Sequence, residues 1–284
     1  MSLVEVRRHA DAHAFLAHAG GFLAAREAEH NLILGISSRL RHEPRLYGED
    51  PYLAVVEDGG RVVTAALRTP PHNLVLAELD DDGAVAPLLE DVRSAFESLP
   101  GVLGPAEFAA RFAAGWEVVS GARGRRAMAE RIFRAHEVDV PEGVSGRMRP
   151  YEDADRQLAI RWAEAFVAEA MPVAPFESGE QFVERRQADP DAGLVLWEDG
   201  PPVSLAGFGG ATPNGIRVGP VYTPPELRRR GYASALTAAL TRTLLEGGRR
   251  FCFLFTDLAN PTSNSIYQRI GYEPVSDVDQ WAFD

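Results

Sequence analysis

The chain contains no lysine: its 29 basic residues other than histidine are all arginine. This excludes a Schiff-base amine and the lysine of a Walker phosphate loop. The one cysteine, Cys252, excludes an internal disulfide and fits a reducing compartment, so a cytoplasmic location is expected. All seven histidines lie at or before His136, which leaves the C-terminal half without an imidazole base or metal ligand. His9 and His13 stand one helical turn apart without a third ligand beside them, so they read as surface residues and no metal is expected. No apolar run is long enough to span a membrane, and the N-terminus lacks a basic segment followed by an apolar one, which reads against a secretory signal. The net charge of −12 argues against nucleic acid as a partner and is compatible with a cationic substrate.

What is present is organised around residues 216–248. An apolar strand, Ile216 to Tyr222, runs into Thr223-Pro224-Pro225, then three arginines, then Gly231. A helix comes next, with Ala233, Leu236, Leu240 and Leu244 on one face, and it stops at Gly247-Gly248. A glycine loop at a helix start gathers unpaired N–H groups at the positive end of the helix dipole. With Arg228, Arg229 and Arg230 beside it, the expected guest is a phosphate or pyrophosphate. A dinucleotide fingerprint needs three close glycines and this loop has one.

Arg228-x-x-Gly231-x-Ala233 resembles the Arg/Gln-x-x-Gly-x-Gly/Ala loop of the GCN5-related N-acetyltransferase (GNAT) superfamily, which grips the pyrophosphate of acetyl-coenzyme A. Asn260 through Tyr272 resembles the Asn-x-x-small-x-x-Leu-Tyr-x-x-x-Gly-Phe/Tyr ending of the same superfamily, with Ile266 in the leucine place. The two motifs are in the family's order, and the resemblance covers about residues 145–284.

An internal repeat extends it. A strand at Val4 to Arg7 leads to helices from Asp11 to about Ala19 and from Phe22 to about Arg41. A hairpin around Asp58-Gly59-Gly60 is next, then a strand from Asn73, a helix to Phe96, a strand at Val102, a helix from Pro105 to Ala114, and strand material from Trp116 to Val138. After Pro141-Glu142-Gly143, read as a linker, the same order recurs. Glu57-Asp58-Gly59 matches Glu198-Asp199-Gly200, and Gly104-Pro105 through Gly115-Trp116-Glu117 aligns without gaps on Asn260-Pro261 through Gly271-Tyr272-Glu273. Two tandem α/β (α+β) domains are therefore expected, 1–140 and 145–284. The resemblance implies for each a mixed, mostly antiparallel sheet flanked by helices and splayed between its fourth and fifth strands. Asp80-Asp81-Asp82-Gly83 aligns with Arg228-Arg229-Arg230-Gly231, and three aspartates would repel a pyrophosphate. The first copy reads as a degenerate scaffold, and one acetyl-CoA site is expected, in the second.

The resemblance implies direct acetyl transfer from acetyl-CoA to a primary amine of a small molecule or peptide. It places the pantetheine arm along Val221, Tyr222 and Thr223, whose N–H groups are the available oxyanion donors because Pro220, Pro224 and Pro225 have none. Arg228 to Gly231 and the first turn, Tyr232, Ala233 and Ser234, would hold the pyrophosphate. Tyr267 matches the tyrosine that protonates the departing thiolate; it reads otherwise as a half-buried packing residue. Asn260 and Asn264 would bond the pantetheine or the helix backbone, and Asn260 reads equally as an N-cap ahead of Pro261. The strand Ile216 to Tyr222 carries no acid, so Glu169, Glu177 and Asp257 are the base candidates, acting through water. Cys252 reads as core. The segment Phe166 to Phe176 is expected to be the loop that helps to choose the acceptor. Two other readings stay open: an enzyme resembling mycothiol synthase, and a non-catalytic acetyl-CoA sensor.

Overall fold

The computed structural model describes residues 4–170 and 178–284. In chain order the elements are β1 (Val4–Arg8), α1 (Ala12–Ala25), α2 (Asn31–His42), β2 (Tyr52–Asp58), β3 (Arg61–Arg68), β4 (Leu74–Leu76), α3 (Val85–Ala95), β5 (Gly101–Pro105), α4 (Ala106–Ser120) and β6 (Gly124–Ala135). Then come β7 (Arg147–Pro150), α5 (Arg156–Ala170), α6 (Gly179–Ala188), β8 (Gly193–Glu198), β9 (Pro202–Gly209), β10 (Gly215–Tyr222), α7 (Tyr232–Glu246), β11 (Phe251–Asp257), α8 (Pro261–Arg269) and β12 (Glu273–Phe283).

The chain forms two compact units. The first comprises residues 1–132, 257–259 and 275–284, and the second comprises 133–256 and 260–274. Both are mixed, mostly antiparallel sheets covered by helices, as the sequence implies. The division is not the one drawn at 140 and 145: the last ten residues pack in the first unit, and the expected linker at 141–143 lies inside the second. In the first unit that tail is a strand, where Val278 to Ala282 pair antiparallel with Pro105 to Gly101.

In the first unit the strand order is β1-β2-β3-β4-β5-β12-β6. Period-two alternation gives the sheet two apolar faces. Ala54, Val56 and Ala66 pack with Leu88, Phe112 and Trp116 of α3 and α4. Leu53, Val55 and Leu67 pack with Phe15, Leu23 and Ile33 of α1 and α2. Helix α1 does not stop near Ala19. It runs through Gly20-Gly21 because the stripe Phe15, Ala19, Leu23 stays buried at i+4 spacing across them. It ends at Ala25, where the buried His30 ring bonds the Leu23 carbonyl at 3.0 Å. Helix α4 is likewise longer than expected. Gly115 sits inside it, because a Cβ there would lie 2.3 Å from Leu89 Cδ1; the glycine allows α3 and α4 to pack closely. The strand expected from Trp116 begins only at Gly124.

In the second unit the order is β11-β10-β9-β8-β7. Leu194, Leu196 and Leu205 face Ala159, Ala163, Phe182 and Val183 of α5 and α6. Val195, Trp197, Ile216 and Val218 face Ala235, Leu236 and Leu240 of α7. Helix α6 starts in a capping box, with Ser178 accepting from the Gln181 N–H and Gln181 accepting from the Ser178 N–H.

Candidate functional site

Strands β10 and β11 pair in parallel only at Gly215↔Phe251, Ile216↔Cys252 and Arg217↔Phe253. Beyond Arg217 the one runs on to Tyr222 and the other to Asp257 without pairing, so the second unit's sheet splays between its fourth and fifth strands. On its other side β10 carries a bulge: Val218 is opposite Phe208, but Val221 is opposite Ala206. Within the bulge Gly219 has φ 140°, a conformation few residues other than glycine adopt, and Pro220 has no N–H to offer the ladder. The Gly219 carbonyl turns to Arg186 of α6, which donates to it from Nη2 at 3.0 Å and to the Phe208 carbonyl from Nη1 at 3.1 Å. Ser204 Oγ donates to the Tyr222 carbonyl at 2.9 Å and lies 2.8 Å from Thr223 Oγ1. The Thr223 side chain is therefore engaged inward, and the cofactor role open to this residue is through its backbone.

The loop then reaches α7. No side chain caps this helix, and its first intrahelical bond is from the Ala235 N–H to the Gly231 carbonyl, at 2.9 Å. Gly231 is left-handed (φ 86°) and is succeeded directly by helical residues, a backbone sequence that makes successive N–H groups converge. Arg229 is also left-handed, at φ 64°. Arg229 and Arg230, directly ahead of this helix start in the chain, are exposed. Uncapped N–H groups, a helix dipole and two exposed cations are the chemistry that receives a phosphate or pyrophosphate. The equivalent loop of the first unit is built differently: Asp81 turns its own carboxylate onto the Gly83 N–H at 2.7 Å, Asp80 pairs with Arg26, and Asp82 pairs with Arg111.

Two loop residues behave otherwise than a uniform basic grip would require. Arg228 is an ion-pair partner, with Nη2 2.6 Å from Glu169 Oε2 and Nε donating to the Thr223 carbonyl at 2.8 Å. The Tyr232 side chain points inward and its hydroxyl donates to Asp199 at 2.6 Å, which leaves its backbone N–H for a ligand. A bond from Ser145 and this one from Tyr232, with the nearby Arg230 charge, hold the Asp199 carboxyl below its usual range.

Helix α8 carries the second motif. Asn260 is its N-cap, accepting from the Ser263 N–H at 3.1 Å ahead of Pro261. Asn264 donates to the Asn260 carbonyl at 2.9 Å and accepts from Thr256 Oγ1, so both asparagines bond backbone or neighbouring side chains in the unit. Tyr267 packs edge-on to Tyr272, with ring centroids 6.0 Å apart. Burial pushes its phenol up to about 12, so it holds its proton at neutral pH.

The base candidates fare unequally. Glu169 is bonded to Arg228 and to the Tyr222 hydroxyl. Asp257 accepts from the Ala259 N–H and lies with the first unit. Of the segment expected as the acceptor loop, Phe166 to Ala170 is the last part of helix α5 and not loop, while residues 171–176, like Glu177, lie outside the described residues. Cys252 is fully buried and burial pushes its thiol up to about 12, so it is core and not a nucleophile. Among the described residues no cluster of three or more His, Cys, Asp or Glu could hold a metal, and no helix is long and apolar enough to cross a membrane.

The buried Arg186 and its bonds to both strands of the bulge were not legible in the sequence. The one available signal was Gly207 and Gly209 alternating on a buried strand, a mark of close approach by another group.

Residues 206–282 match the model of the FR47-like protein family. No curated protein sequence matches the chain. Among solved structures, a GCN5-related N-acetyltransferase from Kribbella flavida is similar at 22% identity, with 88% of this chain and 95% of that one covered and a TM-score of 0.58. One from Sphaerobacter thermophilus is similar at 16% identity, covering 99% and 95%, with a TM-score of 0.62. A tandem GNAT protein from the clavulanic acid biosynthesis pathway is similar at 14% identity over 99% and 98%, with a TM-score of 0.55. The chain has the fold seen in the GCN5-related N-acetyltransferases to which it is similar, and its residues 206–282 match the FR47-like family model.

Proposed function

We propose that the protein transfers an acetyl group from acetyl-CoA directly to a primary amine of a small molecule or peptide, using one site in the second unit. The observation that carries this reading is the splay of β10 from β11 beyond Arg217, leading into the uncapped, left-handed start of α7 at Gly231. The opening leaves strand backbone for the pantetheine amides, and the helix start with Arg229 and Arg230 suits the pyrophosphate. Backbone N–H groups from Val221 to Thr223 would stabilise the oxyanion, and the Tyr267 phenol would protonate the leaving thiolate. The acceptor amine would have to arrive neutral or lose its proton through water. The Asp80-to-Asp82 loop of the first unit, with its carboxylates bonded internally, supports a scaffold role there. The test is calorimetric titration with acetyl-CoA, then measurement of free thiol on adding a panel of amines. Binding with turnover is expected. Binding without turnover on any amine would support the sensor reading, and no binding would remove both.

A further inference from the structure

The acyl-transfer reading leaves unexplained why an arginine is buried beneath the bulge of β10. Arg186 is 7% exposed, its guanidinium carbon lies 4.5 Å over the Phe182 ring, and its two terminal nitrogens donate to carbonyls on two different strands. Burying a guanidinium is costly unless its donors are satisfied. Here the fold makes room for it. A Cβ on Gly207 would stand 3.0 Å from Arg186 Nε, 3.1 Å from its guanidinium carbon and 3.1 Å from the Gly219 carbonyl oxygen. A Cβ on Gly209 would stand 3.6 Å from Nη1. Two glycines on β9 thus leave the channel through which the side chain reaches the bulge.

We propose that Arg186 is a positioning residue for acyl transfer: it fixes the bulge at Gly219-Pro220 and thereby aims the backbone of Val221 to Thr223 at the thioester oxygen. This rests on the transferase reading above. A bulge leaves its extra residue outside the ladder and re-aims the residues after it. The Gly219 carbonyl would otherwise be free to rotate about a glycine with wide conformational freedom. Two charge-assisted bonds from one planar group hold the Gly219 and Phe208 carbonyls in a fixed relation. Oxyanion stabilisation depends on donors that are already in place, so looseness of the bulge would lower the rate of the chemical step. The pyrophosphate would be gripped at the Gly231 loop, and coenzyme affinity should change little.

The test uses the full chain, with acetyl-CoA as donor and hydroxylamine as acceptor, an amine already neutral at pH 7 that needs no protein base. Single-turnover loss of the thioester is measured for wild type, R186M, R186K and G207A, with acetyl-CoA affinity by calorimetry and folding by thermal melting. R186M should lose roughly 10²-fold in rate while acetyl-CoA Kd stays within about threefold. R186K, which keeps the charge but not the fork, should recover part of the rate. G207A should reproduce the defect from the opposite strand by pushing the guanidinium off the Gly219 carbonyl. The double variant R186M/G207A should be no slower than R186M within about twofold, since both changes break one contact. If R186M does not fold, R186K and G207A carry the comparison. A wild-type rate in the folded variants, additive losses in the double variant, or equal loss of rate and coenzyme affinity would overturn the proposal. Wild-type protein that binds no acetyl-CoA would overturn the transferase reading and this inference together. Binding and turnover in wild type with unchanged variants would overturn this inference alone.

Discussion

Arg228 of the α7 loop and Glu169 near the end of α5 form an ion pair, with Nη2 2.6 Å from Oε2. The pair removes one charge from the proposed phosphate grip and one carboxylate from the set of general bases. It is also solvent-exposed, with 42% and 45% of the two side chains accessible. An exposed pair of this kind contributes under about 1 kcal/mol. E169Q should therefore melt close to wild type and keep its single-turnover acetylation rate within about threefold. A rate loss of about a hundredfold, with coenzyme affinity intact, would show instead that Glu169 takes the proton from the acceptor.

The left-handed backbone at Gly231 gives the phosphate loop a specific vulnerability. A Cβ there would meet Val144 Cγ2 at 2.9 Å, and φ is 86°. G231A should cost about 1–2 kcal/mol of stability, from steric and backbone strain alone. G231D adds a carboxylate where a phosphate would approach, and should weaken acetyl-CoA binding at least tenfold, about 1.4 kcal/mol. Calorimetry on both variants separates the two effects: equal affinities for G231A and G231D would mean that no anion sits at this helix start.

Stoichiometry tests the asymmetry between the units. In the first unit the Gly83 N–H is already bonded by Asp81, and the neighbouring carboxylates of Asp80 and Asp82 face arginines of the same unit. Acetyl-CoA should titrate to one equivalent per chain. Saturation at two would show that these aspartates do not exclude the coenzyme.

Acid stability should depend on His30. Its Nδ1 lies 3.0 Å from the Leu23 carbonyl, which it reaches only as a donor, and its Nε2 accepts from the Glu78 N–H at 3.0 Å. The ring is thus satisfied in one neutral tautomer, and burial lowers its pKa from 6.5 to about 4. Between those values the unfolded chain binds the extra proton, so stability falls as pH drops from 6.5 towards 4. This one group accounts for about 3 kcal/mol over that window. The stability gap between wild type and H30N, measured by denaturant unfolding, should be wide at pH 7 and narrow steadily towards pH 4.5. A gap independent of pH would contradict the neutral assignment.

The elements that place the site were legible because their signals are local. A proline-broken strand end, one glycine and an apolar stripe specify β10, the loop and α7 within about thirty residues, and the repeat supplied the order of the rest. The errors have a physical pattern. Gly20-Gly21 and Gly115 look like helix breaks, but tertiary packing keeps those helices intact. The last ten residues join the first unit by pairing with β5, a contact across more than 170 residues that no window contains. Arg186, Gly207 and Gly219 meet from three separate elements, so the support of the bulge could be seen only in the fold.

Tyr267 gives the most direct test of chemistry. The phenol is held up to about 12 by burial alone, and among the described residues no hydrogen bond engages its hydroxyl. Y267F therefore removes a proton donor without leaving a partner unsatisfied, and both melting temperature and acetyl-CoA affinity should stay near wild type. If the phenol protonates the leaving thiolate, the single-turnover rate should fall by roughly 10²–10⁴-fold. The loss should be smallest for acetyl thioesters of more acidic thiols, which leave without assistance. The sign of the pH dependence comes from the same shift. The acid form is the active one and is lost only as pH rises through about 12, so Tyr267 should produce no alkaline limb below about pH 10. An alkaline limb below that pH in wild type that vanishes in Y267F would show a phenol more acidic than its burial implies. An unchanged single-turnover rate in Y267F would return the ring to packing against Tyr272. Single turnover is the necessary measurement, because slow product release would hide a loss in the chemical step under steady-state conditions.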